Sequence, residues 1–314
     1  AIQRFQFYPL RLVEGFVMLL RLRFSGYRTV YVHYSFLAAF TAALVMRPTG
    51  GRVFYWNCGL PWLYRRSIAR EFFERLTYRL ITHLVTGTQS LAYAYARHYG
   101  IPVGRTRVMP NWIDTERIKN QESKIRRSEF RAKLKIAAGR KAVLFIHRLS
   151  RRKGADLLPE IIRELDDEHS VCFIIGEGPE RRAIESRIKN YGLKERARFC
   201  GAVPNRDLYQ YYAVADALIM PSREEGFPRV LLEAMAFGVP FVASDVGGVR
   251  DIIPPSMYEY LVSGDDPQDF ALSLRQLLVE NASVLDELRY LLYAWVQRYD
   301  IDAVSRLFVE LTRE

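Results

Sequence analysis

Two carboxylates and two fixed cations in the second half of the chain have the types and spacing needed to hold a sugar diphosphate. The run Ser222-Arg-Glu-Glu225-Gly-Phe-Pro-Arg-Val-Leu-Leu-Glu233 follows an apolar stretch, ALIMP. Glu225 falls in a Gly/Pro loop, and Glu233 comes eight residues later inside a predicted helix. One carboxylate at the mouth of a helix and another within it can accept hydrogen bonds from a sugar hydroxyl and a ribose diol. Glu233 also reads as a solvated helix residue, but its neighbours in VLLEAMAFGVP are apolar, where an unpartnered charge is costly. Upstream, Arg148-Leu-Ser-Arg-Arg-Lys153-Gly154 follows the stretch KAVLFIH. Arg offers a bidentate fork and Lys a point charge, so such a loop can clamp a diphosphate. A helix N-terminus beside it favours anions as well. Taken alone, the same loop reads equally well as basic surface. Gly176-Glu-Gly-Pro-Glu180 after VCFII reads as a turn and helix start, because Glu177 and Glu180 would repel phosphate.

These residues need a scaffold, and the pattern around them supplies one. Short apolar runs (KAVLFIH, VCFIIG, RARFCG, ALIMP, PFVAS, YEYLV) alternate with helical segments (DLLPEIIREL, RRAIESRIKNYG, DLYQYYAVA, VLLEAMAFG, GGVRDII). Near-continuous apolar strands between helices mark a parallel sheet covered on both faces. In such sheets ligands bind at the carboxyl ends of strands, where these polar loops fall. The first part alternates too: strand TVYVHY, a helix, strand GRVFYW, a helix over 72–83, strand HLVTG, a helix over 90–99 and a strand near 106–109. Residues 116–141 are charge-dense with only a short helix at 128–134, and read as the boundary between domains. The expected class is α/β: two Rossmann-like domains facing across a cleft, an N-terminal one over 1–118 and a C-terminal one over 119–297. Residues 298–314 form a last helix, after a break near Asp300, expected to pack back toward the N-terminal domain.

Charge is divided unevenly. Residues 1–115 hold 15 Arg, no Lys and 4 acidic residues, while the remaining 31 basic and 31 acidic residues cancel, so the whole net charge of +11 lies in the first part. Such a field draws polyanions, an anionic membrane surface or phosphorylated substrates. No nucleic-acid reading motif accompanies it, so a nucleic-acid partner is not expected. Residues 4–24 mix arginine with large apolar residues at near-helical spacing, which suits equally a helix lying in a membrane interface and one packed on its own domain. The uncharged stretch 29–46 is the one candidate span, but its strand-like TVYVHY and helix-like FLAAFTAALVM favour a buried strand–helix unit. No signal peptide is read at the start. Cys58, Cys172 and Cys200 lie far apart without metal-ligand spacing, which suits a reducing compartment. The expected location is cytoplasmic, at the cytoplasmic face of the membrane if the basic region binds lipid.

The run EGFPRVLLEAMAFGVPFVASDVGGVRDI resembles glycosyltransferase family 4, retaining enzymes of the GT-B fold, through its Glu-x7-Glu signature. HRLSRRKG, IGEGPE, FCGAVPN, VTGTQSLAYAYARHYGIP and VMPNWID support it. The resemblance runs over about residues 28–314 and is most specific in the C-terminal half. It implies that Arg148 and Lys153 bind the donor diphosphate and that Glu225 contacts a donor-sugar hydroxyl. Gly226, Phe227 and Pro228 would offer backbone contacts, Glu233 would take the ribose diol, and Val203 and Pro204 would lie near the nucleobase. Such enzymes need no bound metal or other cofactor, because cationic side chains offset the departing diphosphate. The implied activity is transfer of a hexose-type sugar from a UDP- or GDP-sugar to a glycan or lipid-linked acceptor. A nucleotide-sugar isomerase of related fold and a non-catalytic nucleotide-sugar-binding subunit are the alternatives. Three departures stand out. His147 precedes the diphosphate arginine where the family usually has Gly. Asn57 stands where a pocket histidine is usual, and it cannot serve as an acid or base. His33 matches another histidine common in the family, and reads as a core or a pocket residue. Before residue 28 the family's opening strand and glycine-rich loop are missing, so the N-terminal domain is expected to be abbreviated or to lack its first strands.

Overall fold

A computed structural model describes residues 8–313, and these fall into two compact units. The first contains the described residues up to Pro110 together with those from Ser305 on; the second is Asn111–Val304. The limits thus fall at 110/111, against the 118/119 expected from charge density, and at 304/305, against the 297/298 expected from the helix break near Asp300.

In the first unit, α1 (Tyr8–Phe24) precedes β1 (Thr29–His33), α2 (Phe36–Met46), β2 (Arg52–Trp56), α3 (Ile68–Leu80), β3 (His83–Thr86), α4 (Gln89–Tyr99) and β4 (Thr106–Val108). The strands form a parallel sheet in the order β1-β2-β3-β4. The stretch 29–46 is therefore a strand followed by a helix. The Ser35 hydroxyl caps α2 by accepting from the Ala38 amide, and Ala39, Ala42 and Ala43 are buried where small side chains let the helix sit close. Among the described residues no helix is long and apolar enough to cross a membrane. Of the two readings of residues 4–24, the described part packs on its own domain: Leu19 and Leu20 lie against the core that includes Ala42 and Val53. Val13, Phe16 and Val17 on the same helix remain exposed. Helix α3 begins earlier than expected because Ser67 caps it, and it ends at Leu80 because His83 is drawn into β3 opposite Phe54.

The second unit opens with α5 (Thr115–Glu122) and α6 (Arg127–Lys133); α6 matches the short helix expected at 128–134, and α5 was not expected in the charge-dense stretch. A few anchors suffice: Asp114 caps α5, Thr115 and Ile118 are buried, and Phe130 of α6 meets the edge of Tyr211. There follow β5 (Lys141–Ile146), α7 (Leu158–Leu165), β6 (Ser170–Ile175), α8 (Arg181–Asn190), β7 (Ala197–Gly201), α9 (Asn205–Val214), β8 (Ala217–Met220) and α10 (Arg229–Ala236). The unit closes with β9 (Phe241–Ser244), α11 (Val249–Ile252), β10 (Leu261–Val262), α12 (Pro267–Val279) and α13 (Ala282–Val296). Its six parallel strands run in the order β7-β6-β5-β8-β9-β10. The chain steps outward from β5 to β7, then returns to place β8 on the other side of β5, with Val143 opposite Ala217. That reversal leaves a crevice at the carboxyl ends of β5 and β8, where open α/β sheets bind ligands. The strand expected over YEYLV is short, because Pro255–Tyr260 coils into 3-10 turns and only Leu261 and Val262 pair with β9. The break near Asp300 is present: α14 (Ile301–Arg313) starts there, and from Ser305 its residues belong to the first unit. There the Thr312 carbonyl accepts from Arg52, and Phe308 meets the edge of Tyr31.

Candidate functional site

Strand β5 delivers His147 and Arg148 to the crevice, and β8 delivers Ser222 and Glu225 from the other side. Glu225 is the focus. Its Oε1 accepts from Lys153 Nζ (2.6 Å), Ser222 Oγ (2.8 Å) and His147 Nε2 (3.1 Å). The side chains of Glu225 and Lys153 are 5% and 9% exposed, so this is a buried ion pair with its remaining bonds supplied locally. Burial by itself would push the Glu225 carboxyl up. The His147 hydrogen bond and the Lys153 charge outweigh it and hold the group below the usual carboxylate range, so it is ionised at neutral pH.

Glycines allow these loops to meet. Gly154, at φ 64, closes the 3-10 turn Arg151–Lys153, and a Cβ there would run into the Pro221 carbonyl oxygen. Gly247, at φ 56 in the loop after β9, approaches the Glu225 carbonyl just as closely. Gly176 and Gly178 do the same against His147 and Leu149, so the GEGPE turn braces the loop that carries Arg148 and Lys153. The Leu149 amide donates to the Glu177 carbonyl at 3.0 Å, and the Glu180 amide to the Leu149 carbonyl at 3.1 Å.

Arg148 is exposed, and its guanidinium has no partner among the described residues. Lys153, in contrast, is already engaged with Glu225. Gly226, Phe227 and Pro228 lead from Glu225 into α10; the Phe227 carbonyl accepts from Asn111 Nδ2 at 3.3 Å. Glu233 lies half-buried on α10, where its Oε2 accepts from the Tyr212 hydroxyl at 2.9 Å. Burial pushes its carboxyl up, against the Tyr212 hydrogen bond and the charge of Arg229. Tyr212 is itself fixed by stacking on Phe237 at 5.5 Å. Val203 is half-buried and Pro204 exposed, between the end of β7 and α9, the helix that also carries Tyr212.

His33 and Asn57 belong to the first unit. His33 stacks on Trp56 (4.1 Å, interplanar 9°) at the carboxyl end of β1, and burial lowers its pKa, which keeps it neutral at neutral pH. Asn57 is buried and fully engaged: its amide donates to the Tyr55 and Tyr78 hydroxyls, both at 3.2 Å, and its oxygen accepts from the Gly59 amide. The structure thus gathers Glu225, Lys153 and His147 around one oxygen, with Arg148 next in the chain. Sequence reasoning missed Ser222, Tyr212 and Gly247. The GG pair two residues beyond strand PFVAS, read as the start of helix GGVRDII, was a signal for the last; nothing in the sequence pointed to the two hydroxyls.

The family model for glycosyl transferases group 1 matches residues 126–290, just over half of the chain and the whole of this constellation, and that for Glycosyltransferase Family 4 matches residues 2–117. The chain belongs to the glycosyl transferases group 1 family. D-inositol 3-phosphate glycosyltransferase of Geodermatophilus obscurus is 34% identical over 206 residues, 62% of this chain and 45% of that protein. A GDP-mannose-dependent α-(1-6)-phosphatidylinositol monomannoside mannosyltransferase of Mycobacterium tuberculosis is 28% identical over 250 residues, 76% of this chain and 61% of that protein. The chain spans about half the length of the curated relatives it matches. HepE from Anabaena, crystallised with UDP, superimposes with a TM-score of 0.82 at 20% identity over 96% of this chain and 81% of that one. The architecture of this group 1 chain, two Rossmann-like units, is that of the GT-B glycosyltransferases.

Proposed function

We propose that the protein is a retaining glycosyltransferase that moves a hexose-type sugar from a UDP- or GDP-sugar to a glycan or lipid-linked acceptor. The observation that carries this reading is the buried, ionised Glu225, held through one oxygen beside an unpaired Arg148 at the crevice of the second sheet. Arg148 takes the donor diphosphate with its guanidinium fork. Lys153 keeps Glu225 ionised and adds positive charge where the leaving phosphate gains negative charge. The second oxygen of Glu225 accepts from a sugar hydroxyl, with Gly226, Phe227 and Pro228 lining the sugar. Glu233 takes the ribose diol, and Val203 and Pro204 flank the base. The acceptor attacks from the face the diphosphate leaves, a phosphate oxygen takes its proton, and the anomeric configuration is kept. Side-chain cations meet the charge of the leaving group, so transfer is expected to proceed unchanged in EDTA.

The UDP in the HepE crystal and the GDP-mannose dependence of the mycobacterial relative support a nucleotide-sugar donor without choosing the base. A thermal-shift screen of UDP-, GDP- and ADP-sugars tests the donor, since a ligand bound to the folded state raises the melting point. The product anomer, read by NMR, tests the mechanism, and an inverted linkage would overturn it. Binding without transfer or hydrolysis would make the chain a nucleotide-sugar-binding subunit. Conversion of the donor sugar with no acceptor glycosylated would make it an isomerase.

A further inference from the structure

His147 makes two hydrogen bonds that together define its chemical state. Its Nδ1 accepts from the backbone N–H of Arg148 at 3.2 Å, and its Nε2 lies 3.1 Å from Glu225 Oε1. An amide N–H can only donate and a carboxylate can only accept, so Nδ1 is bare and Nε2 carries the proton. With the proton on Nε2 both partners are satisfied.

The ring's place makes this more than a packing detail. The His147 side chain is 25% exposed while that of Glu225 is 5% exposed, so the imidazole forms the solvent side of the carboxylate's surroundings. Lys153 and Ser222 hold the same oxygen from within. The ring therefore ties the backbone of Arg148 to Glu225 through one rigid group. Gly176 fixes the backbone beneath it, because any side chain there would meet the His147 carbonyl oxygen.

We propose that His147 is a positioning residue for donor-sugar specificity: by donating from Nε2 to Oε1 it turns the other oxygen of Glu225 toward the sugar and keeps it in register with the diphosphate-binding Arg148. This rests on the function proposed above, in which Glu225 meets the sugar and Arg148 the diphosphate. The role belongs to the sugar and not to the nucleotide, which separates it from a structural one.

The test compares wild type, His147→Ala and His147→Gln, whose amide can still donate from about the place of Nε2. For each, the Kd of UDP and of GDP is measured by calorimetry, together with the KM and kcat for the matching nucleotide sugar. For His147→Ala the KM for the nucleotide sugar should rise about 10-fold, a hydrogen bond to a charged group being worth at least that, while the Kd of the bare diphosphate stays within about twofold. His147→Gln should recover most of the loss. Equal weakening of diphosphate and nucleotide sugar, or no change in either, would overturn the proposal, as would a Gln variant no better than Ala. Wild type that binds neither UDP nor GDP nor their sugars would instead remove the functional reading, and this inference with it.

Discussion

At the scale of single residues, Glu225 and Lys153 must be considered together. Removing one member of a buried pair strands the other charge, at a cost of about 3–5 kcal/mol, whereas replacing both can be close to neutral. Glu225→Gln is therefore expected to lower stability more than the double variant Glu225→Gln/Lys153→Met, in urea unfolding followed by circular dichroism. Both variants should lose donor-sugar binding, so stability and binding separate. The two signature carboxylates respond to pH in opposite senses. The folded-state pKa of Glu225 is depressed, so its contribution is intact at neutral pH and is lost as the pH falls below the ordinary carboxylate range. That of Glu233 is raised, so its contribution is fully present in acid and is lost as the pH rises through the folded-state value. Glu233→Gln should consequently melt at or above the wild-type temperature at pH 7, an advantage that vanishes near pH 4. If Glu233 takes the ribose diol as proposed, the same variant should bind donor about 10-fold more weakly. A melting point well below wild type at pH 7 would contradict this account of Glu233.

At the scale of elements, the site depends on loops that touch backbone to backbone. Gly154 and Gly247 sit at positive φ with a carbonyl oxygen where a Cβ would go. Alanine there adds left-handed strain of about 1–3 kcal/mol to the collision. For a unit of this size each kcal/mol lowers Tm by roughly 2–4 °C. Gly247→Ala should thus melt several degrees below wild type and lose donor binding, because the displaced loop carries the Glu225 backbone with it. Gly192→Ala is the control: Gly192 also has positive φ, at 71°, but open space around it, so it should bear the strain alone and keep donor binding. Equal effects at both positions would show that close approach is not what Gly247 provides.

At the scale of the whole molecule, the net charge of +11 resides in the first 115 residues, all of its cations there being arginine. Each basic residue near an anionic bilayer contributes about 1 kcal/mol and fades within a Debye length. We expect the protein to float with vesicles containing phosphatidylserine at low ionic strength and to be released as salt rises. Association that ignores salt, or none at all, would count against an acceptor presented at a membrane. A lipid-linked acceptor would be met on the same surface, whereas a soluble one requires no such field.

The α/β class, the alternation of elements, the Glu-x7-Glu pair and the basic loop after β5 were legible in the sequence because each follows from short-range rules. Strand and helix periods, turn residues and motif spacing act within a few residues. The short helix near 128–134 was legible, but the helix over 115–122 was not, since buried Thr115 and Ile118 outweighed a charge-dense composition. Nor was the ion pair of Lys153 with Glu225, or the way Tyr55, Tyr78 and Gly59 take up the polar atoms of Asn57. Residues 72 and 78 positions apart in the chain bond to one oxygen only because β8 returns beside β5. Local pattern in the chain set which side chains carry the charges and hydrogen-bonding groups from which such a site could be built. Tertiary structure alone decided which of them are already partnered, because hydrogen bonds between distant loops depend on strand order, and local pattern does not encode it.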